Sequence, residues 1–163
     1  MKKLDRKTQI KIIGIIFIFI WMVSIFAFSG QVGTESSGTS KKVTEFIVQL
    51  VSDKSIEENE ELIGNLDKVI RKLAHYTIYT LGGILIYNYA NTTDKSKKEK
   101  ILYSIAFGAG YAITDELHQF FVPGRSARIF DVGIDTLGVI TGVLLYLVII
   151  KIIQKWRSTQ VKV

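Results

Sequence analysis

The feature that most constrains this sequence is a pair of long apolar runs that contain no charged residue. One extends from Ile12 to Phe28 and the other from Thr136 to Ile150. A bilayer hydrocarbon core is about 30 Å thick and takes roughly 20 mostly apolar helical residues to cross. Both runs approach that length, and neither has the two-residue alternation of a barrel strand. The sequence therefore predicts an all-α integral membrane protein rather than a soluble domain.

Two further, more polar segments complete a predicted polytopic bundle of four transmembrane helices in a single domain covering residues 1–163. We predict TM1 at about 10–29, an outer loop at about 30–68, TM2 at about 69–90, TM3 at about 101–122 and TM4 at about 131–151. A cleaved signal peptide is the alternative for residues 1–29. Its apolar stretch exceeds the roughly 7–15 residues usual for such a segment, so we favour a retained helix.

Charged residues are distributed unevenly between the segments that connect the spans. Residues 1–11, 91–100 and 151–163 together hold 13 basic and three acidic residues, whereas residues 30–70 hold four lysines and eight acids. Lys and Arg are enriched in cytoplasmic segments of membrane proteins. We therefore predict a multi-pass cell-membrane protein with both termini in the cytoplasm. The net charge of +6 is explained by this topology, so we predict no nucleic-acid partner.

The predicted outer loop has an organisation of its own. Gly30 to Ser40 is rich in Gly, Ser and Thr, which predicts a mobile loop. Val43 to Val51 places apolar residues at helical spacing, which predicts a short helix on the membrane surface. Glu57 to Asp67 is acidic and is expected to lead helically into TM2.

Ten ionisable residues remain after these blocks are assigned, and by the predicted topology all of them lie near the outer interface. They are Arg71, Lys72, His75, Asp115, Glu116, His118, Arg125, Arg128, Asp131 and Asp135. A carboxylate that faces lipid is costly, so the acids are expected to face the bundle interior and to mark a functional site. Glycines at 108, 138 and 142 would let the helix backbones approach closely beneath this polar layer.

Roles follow from residue type and helical spacing. Glu116, Asp115 and His75 are the candidate acid/base residues, because a poorly solvated carboxyl has a raised pKa and a histidine can exchange protons with it. Arg125 and Arg128 suit an anion, since a guanidinium binds phosphate or carboxylate with paired hydrogen bonds. The further candidate binding residues are Gln119, Asp131, Asp135, Arg71, Lys72 and Tyr79. A metal held across helices by His75, Asp115 and Asp135 is a less favoured alternative, and we predict neither metal nor cofactor.

Several of these segments resemble one known family. Phe28 to Gln31, Arg71 to His75, Thr114 to Arg125 and Asp131 to Gly138 are similar to the corresponding blocks of the VanZ-like family. The resemblance spans nearly the whole chain and implies a small bacterial integral membrane protein. It also implies a possible link to glycopeptide susceptibility, because the family's namesake confers low-level resistance to teicoplanin.

The leading functional hypothesis is an outward-opening polar site that binds or modifies an anionic cell-envelope component, such as a lipid-linked or wall-derived group. Membrane lipids are the other expected partner, and no oligomeric state is predicted. The alternative is a non-enzymatic structural or partner-binding membrane protein whose charges only hold the bundle together. A small transporter is less favoured, because the polar residues cluster at one end of the spans and leave no polar route through the other.

Overall fold

The described part of the chain is entirely helical. The computed structural model describes residues 5–30, 33–51, 60–125 and 127–160. Within these ranges there are five α-helices and no β-strand: α1 (Arg6–Ser29), α2 (Gly33–Val51), α3 (Glu60–Ala90), α4 (Lys97–Phe120) and α5 (Ile129–Gln160). The all-α prediction is confirmed. Four of the helices cover the segments predicted as spans, except that α4 ends at Phe120, two residues before the predicted end of TM3.

Local sequence signals explain several helix ends. The Asp5 side chain caps α1 by accepting a hydrogen bond of 2.8 Å from the backbone N–H of Thr8. Ser96 and Glu99 form a reciprocal capping box at the start of α4. After α4 the chain turns through Pro123 and Gly124, where Gly124 has φ 77°. That left-handed backbone conformation favours glycine, which has no Cβ to clash.

Contacts between helix ends define the arrangement of the bundle. Lys7 at the start of α1 forms an ion pair of 3.2 Å with Asp94, which follows α3, so α1 and α3 run in opposite directions. At the other end, Arg125 after α4 donates to the backbone carbonyl of Phe28 near the end of α1. Lys72, in the first half of α3, pairs with Asp131 near the start of α5. Therefore α1 and α4 run one way, and α3 and α5 run the other.

Glycines allow α3 and α5 to pack with their backbones in direct contact. A Cβ added to Gly138 would meet the carbonyl oxygen of Tyr76, and one added to Gly142 would meet that of Thr80. These two glycines are four residues apart, the spacing that lets membrane helices approach closely. On α4, a Cβ at Gly108 would overlap the side chain of Val139. The predicted role of these glycines agrees with the structure.

An apolar core lies between α1, α3, α4 and α5. The Trp21 indole packs edge-on against Tyr79 with ring centroids 5.6 Å apart, and its N–H donates to the carbonyl of Ile78. Tyr111 on α4 donates to the carbonyl of Met22 on α1. Ile25 is also buried in this core. The first helix is therefore built into the bundle by both packing and hydrogen bonds.

The prediction of a mobile loop from Gly30 to Ser40 is wrong, because α2 begins at Gly33 and continues to Val51. The predicted short helix is correspondingly longer, and it packs against α3 with Thr44 and Val48 buried. Adding residues to an existing helix is much easier than starting one, so packing of the later turns supports the Gly- and Ser-rich first turns. Of the expected helical lead into TM2, residues 60–67 are helical, and residues 57–59 lie outside the described ranges.

Two helices, α1 and α5, are long and apolar enough to cross a membrane. Only 22% of the residues in each apolar window are buried, so most of their apolar side chains face outward. A core helix of a soluble protein would instead be mostly buried. Among the described helices α3 and α4 do not meet the same criterion, because they mix apolar residues with tyrosines, glycines and charged residues.

Candidate functional site: a polar cavity between α3, α4 and α5

A cavity of about 340 Å³ opens between the first half of α3, the end of α4 and the start of α5. Nine of the eleven predicted site residues line it: Arg71, Lys72, His75, Glu116, Gln119, Arg125, Arg128, Asp131 and Asp135. The other two, Asp115 and Tyr79, are buried and are not among its lining residues. The structure therefore gathers residues from three helices and one loop into a single site.

A second cavity, of about 420 Å³, is lined mainly by apolar residues of α1, α3 and α4, such as Ile15, Phe19 and Phe107. Its lining includes Lys95 and Lys100 but no acid and no histidine. We therefore place the candidate site in the polar cavity, where opposite charges and a histidine converge.

Two ion pairs hold the cavity's outer part. Arg71 donates to Asp67 one helical turn earlier at 2.8 Å, and Lys72 bridges α3 to α5 by donating to Asp131 at 2.7 Å. The Lys72 ammonium also lies 4.7 Å from the centre of the Phe130 ring. Both lysine and aspartate in the inter-helix pair are about one-third exposed, at 36% and 30%. Partial exposure to solvent weakens an ion pair, so this bridge is a modest source of stability.

A chain of hydrogen bonds crosses the α4 side of the cavity. The Gln119 amide donates to Asp115 at 3.1 Å and accepts from the Arg125 guanidinium at 3.0 Å. Arg125 also donates to the carbonyl of Phe28. Gln119 thus connects the buried carboxylate to the loop arginine.

Electrostatic conditions around Arg125 reflect its partly buried position. Burial lowers the pKa of its guanidinium, and the nearby positive charge of Arg71 acts in the same direction. The carboxylates of Asp115 and Glu116 oppose that change. Two guanidiniums and two carboxylates therefore lie within electrostatic range of one another on this side of the cavity.

Glu116 joins the end of α4 to the start of α5. Its buried carboxylate accepts a short hydrogen bond from the backbone N–H of Arg128. The Arg128 side chain itself is exposed at the edge of the cavity. One oxygen of Glu116 is thus committed to holding the loop, while the Arg128 guanidinium extends from the loop toward solvent.

Three ionisable side chains converge at the inner end of the cavity. His75 Nδ1 on α3 lies 3.7 Å from Asp135 Oδ1 on α5. Asp115 on α4 is close to both, since ligand atoms of the three residues lie within 4.8 Å of one another. Asp115 and Asp135 are both buried, with 3% and 1% of their residue surface exposed. Tyr79, one helical turn after His75 on α3, is fully buried and belongs to the apolar core.

His118 is directed away from this site. Its ring stacks on Phe26 of α1, with centroids 4.0 Å apart and planes inclined by 15°. It therefore contributes to packing between α1 and α4 and is not among the residues that line the cavity.

Sequence reasoning missed the two charged cavity residues Asp67 and Lys68, because both were assigned to the outer connector, and it also left out Gly124 and Ile134. A signal was present: Asp67 precedes Arg71 by four residues, the spacing at which opposite charges pair on a helix. Because a helix leading into TM2 was already expected through Asp67, this spacing would have placed both residues beside the site.

Five helices with outward-facing apolar surfaces on α1 and α5 and a charged cavity at one end define a helical membrane protein with a polar terminal site. The model of the VanZ/LLP1 family matches residues 14–151, and the chain belongs to that family. No curated protein and no solved structure matches the chain significantly. The family assignment from the sequence motifs is thereby confirmed.

Proposed function

We propose that this VanZ/LLP1 protein crosses the membrane four times, with α1, α3, α4 and α5 as its spans and both termini in the cytoplasm. Charge distribution supports the proposal, because the described parts of the basic segments lie at the bundle end opposite the cavity. Length supports it too: α3 has 31 residues, or about 46 Å at 1.5 Å per residue, more than a hydrocarbon core requires. The polar cavity would then open to the exterior.

The function that this geometry supports best is binding, or binding and modification, of an anionic group of a cell-envelope component within the cavity. The single observation that carries it is the pair of cations at the cavity edge, Lys68 and Arg128. Both side chains are exposed, and neither forms an ion pair with any residue in the described ranges. Their charges are available to a phosphate or carboxylate, whereas Lys72 already pairs with Asp131.

The acids and polar groups of the cavity have separate roles in this proposal. Arg125 and Gln119 orient the anion from the α4 side, while Glu116, Asp115 and His75 are the candidates for proton transfer. Because the namesake of the family confers low-level teicoplanin resistance, the proposal includes an effect on glycopeptide susceptibility through the bound envelope component.

A non-enzymatic structural role is the second candidate, favoured by the ion pair between Lys72 and Asp131 that joins α3 to α5. A partly exposed pair of this kind contributes about 0–1 kcal/mol, which is little for a site that gathers so many charges. In a purely structural protein, cations without an ion-pair partner would have no function at the cavity edge.

The double variant Lys68→Ala/Arg128→Ala tests the proposal and separates the two candidates. Wild-type and variant protein would be purified in mild detergent from a bacterial host, and co-purified anionic lipids and wall precursors would be identified by native mass spectrometry. We expect the variant to bind the co-purified anion about tenfold more weakly, which is a loss of about 1.4 kcal/mol in binding free energy. The occupancy of the bound species should fall accordingly.

The matched control is Lys97→Ala/Lys98→Ala, which removes the same charge from the opposite end of the bundle. It should retain the wild-type complement of bound anions. Equal retention by both double variants, with both folded, would contradict an anion site and favour the structural role.

A further inference from the structure

The inner end of the cavity brings together a set of side chains suited to a metal ion. His75 from α3, Asp115 from α4 and Asp135 from α5 each offer one ligand atom, and these atoms lie within 4.8 Å of one another. An imidazole nitrogen and carboxylate oxygens are common protein ligands of Zn²⁺ and of other first-row transition ions.

The carboxylates of this group have unused hydrogen-bonding capacity. Neither oxygen of Asp135, and one oxygen of Asp115, has a hydrogen-bond partner among the described residues. Both residues are more than nine-tenths buried. Buried carboxylates without a partner are costly, and they are normally paired, protonated or bound to a metal. The unpartnered oxygens leave this position able to accept a cation, beside the imidazole of His75.

We propose that His75, Asp115 and Asp135 bind one divalent transition-metal ion, with Zn²⁺ as the best-matched ion. The imidazole disfavours Mg²⁺ and Ca²⁺, which take oxygen ligands almost exclusively. This inference reverses the expectation from sequence that the site holds no metal. It does not depend on the identity of the anionic ligand, or on whether one binds. With the ion bound, His75 and Asp115 act as ligands, and Glu116 remains the candidate for proton transfer.

Geometry is compatible with such a site after small side-chain rotations. In a tetrahedral zinc site with bonds of roughly 2.0–2.2 Å, neighbouring ligand atoms lie about 3.3–3.6 Å apart. His75 Nδ1 and Asp135 Oδ1 are already 3.7 Å apart. The other pairs of ligand atoms are at most 4.8 Å apart and must move closer by about 1.2–1.5 Å, which rotation of the carboxylates can supply.

The surroundings also fit a metal centre. The second oxygen of Asp115 accepts from the Gln119 amide, which is the kind of outer contact that orients a metal-bound carboxylate. His75 and Asp135 line the cavity. Three protein ligands would leave a fourth position open toward the cavity, where water or an oxygen of a ligand could coordinate.

Zinc titration of the purified full chain tests the site. The protein should carry a tag without histidines and be stripped with a chelator, after which Zn²⁺ binding is measured by isothermal titration calorimetry in detergent. We expect one Zn²⁺ per chain in the wild type. Asp115→Asn, Asp135→Asn and His75→Asn should each weaken binding by about tenfold or more, because each removes one ligand.

Two control variants match the substituted residue types. His118→Gln removes the only other histidine of the chain, and Asp94→Asn removes an acid at the opposite end of the bundle. Both should bind Zn²⁺ as the wild type does. Wild-type protein without stoichiometric Zn²⁺ binding, or controls that lose as much affinity as the ligand variants, would overturn the proposal.

A second measurement on the wild type does not depend on whether the variants fold. An ion that binds only the folded protein raises the free energy of unfolding, and the increase grows with the logarithm of the free ion concentration once that exceeds the dissociation constant. The unfolding temperature should therefore rise with Zn²⁺ and fall again with chelator. No change with Zn²⁺ would overturn the proposal, whatever the result of the anion-binding experiment.

Discussion

Gln119 illustrates how a single neutral side chain determines the charge arrangement of the site. Its amide donates to Asp115 and accepts from Arg125, so it binds one oxygen of a buried acid and a loop cation together. An amide can do this because it has both donor and acceptor groups. The sequence motif predicted that all three residues belong to one site, but it did not predict that the glutamine lies between the two charges.

Replacing Gln119 with leucine should destabilise the protein by about 1–3 kcal/mol, because the buried Asp115 oxygen loses its donor and Arg125 loses one acceptor. Thermal unfolding in detergent measures the effect. The control Thr114→Val, on the same helix, removes an exposed hydroxyl that donates to the backbone carbonyl of Tyr111, and it should stay within about 0.5 kcal/mol of wild type. Equal stability of the leucine variant and wild type would show that the hydrogen-bond chain is not important.

At the level of elements, the contact between α3 and α5 depends on the absence of side chains at two positions. Gly138 and Gly142 place the α5 backbone against the carbonyls of Tyr76 and Thr80. This close approach also brings Asp135, one turn before Gly138, to within reach of His75. The glycine spacing on α5 thus positions the site as well as the helix pair.

Alanine at Gly138 or Gly142 should lower stability by roughly 1–3 kcal/mol, since its Cβ would overlap backbone atoms that cannot move aside easily. Gly133→Ala is the control on the same helix, because a Cβ there meets nothing within 4 Å. Alanine is the better helix former, so this control should be neutral or stabilising by up to about 1 kcal/mol. The comparison requires only thermal unfolding, and a similar loss at all three positions would contradict the packing argument.

At the level of the whole molecule, the arrangement separates two kinds of charge. The basic connector, the start of α1 and the end of α5 lie at one end of the bundle, as the ion pair between Lys7 and Asp94 illustrates for α1. The paired and buried charges lie at the other end, around the cavity. A membrane with a cytoplasmic preference for lysine and arginine would orient such a molecule with the cavity outward.

Single-cysteine variants test that orientation directly, because the natural chain contains no cysteine. We expect Ala127→Cys, at an exposed position beside the cavity, to react with a membrane-impermeant maleimide on intact cells. Lys98→Cys, exposed in the basic connector region, should react only after the cells are opened. The opposite labelling pattern would reverse the topology and place the cavity on the cytoplasmic side.

By itself, the sequence determined the helical class, the family and most of the members of the site. A long charge-free apolar run favours a helix in lipid, because a helix satisfies its own backbone hydrogen bonds. Charged residues near the ends of the spans are expected to gather where other charges neutralise them. The tertiary structure decided the rest. It extended α2 through a segment with poor helix formers, turned His118 toward α1 and placed His75, Asp115 and Asp135 together. Those outcomes depend on contacts between distant parts of the chain, which helical periodicity within one segment does not encode.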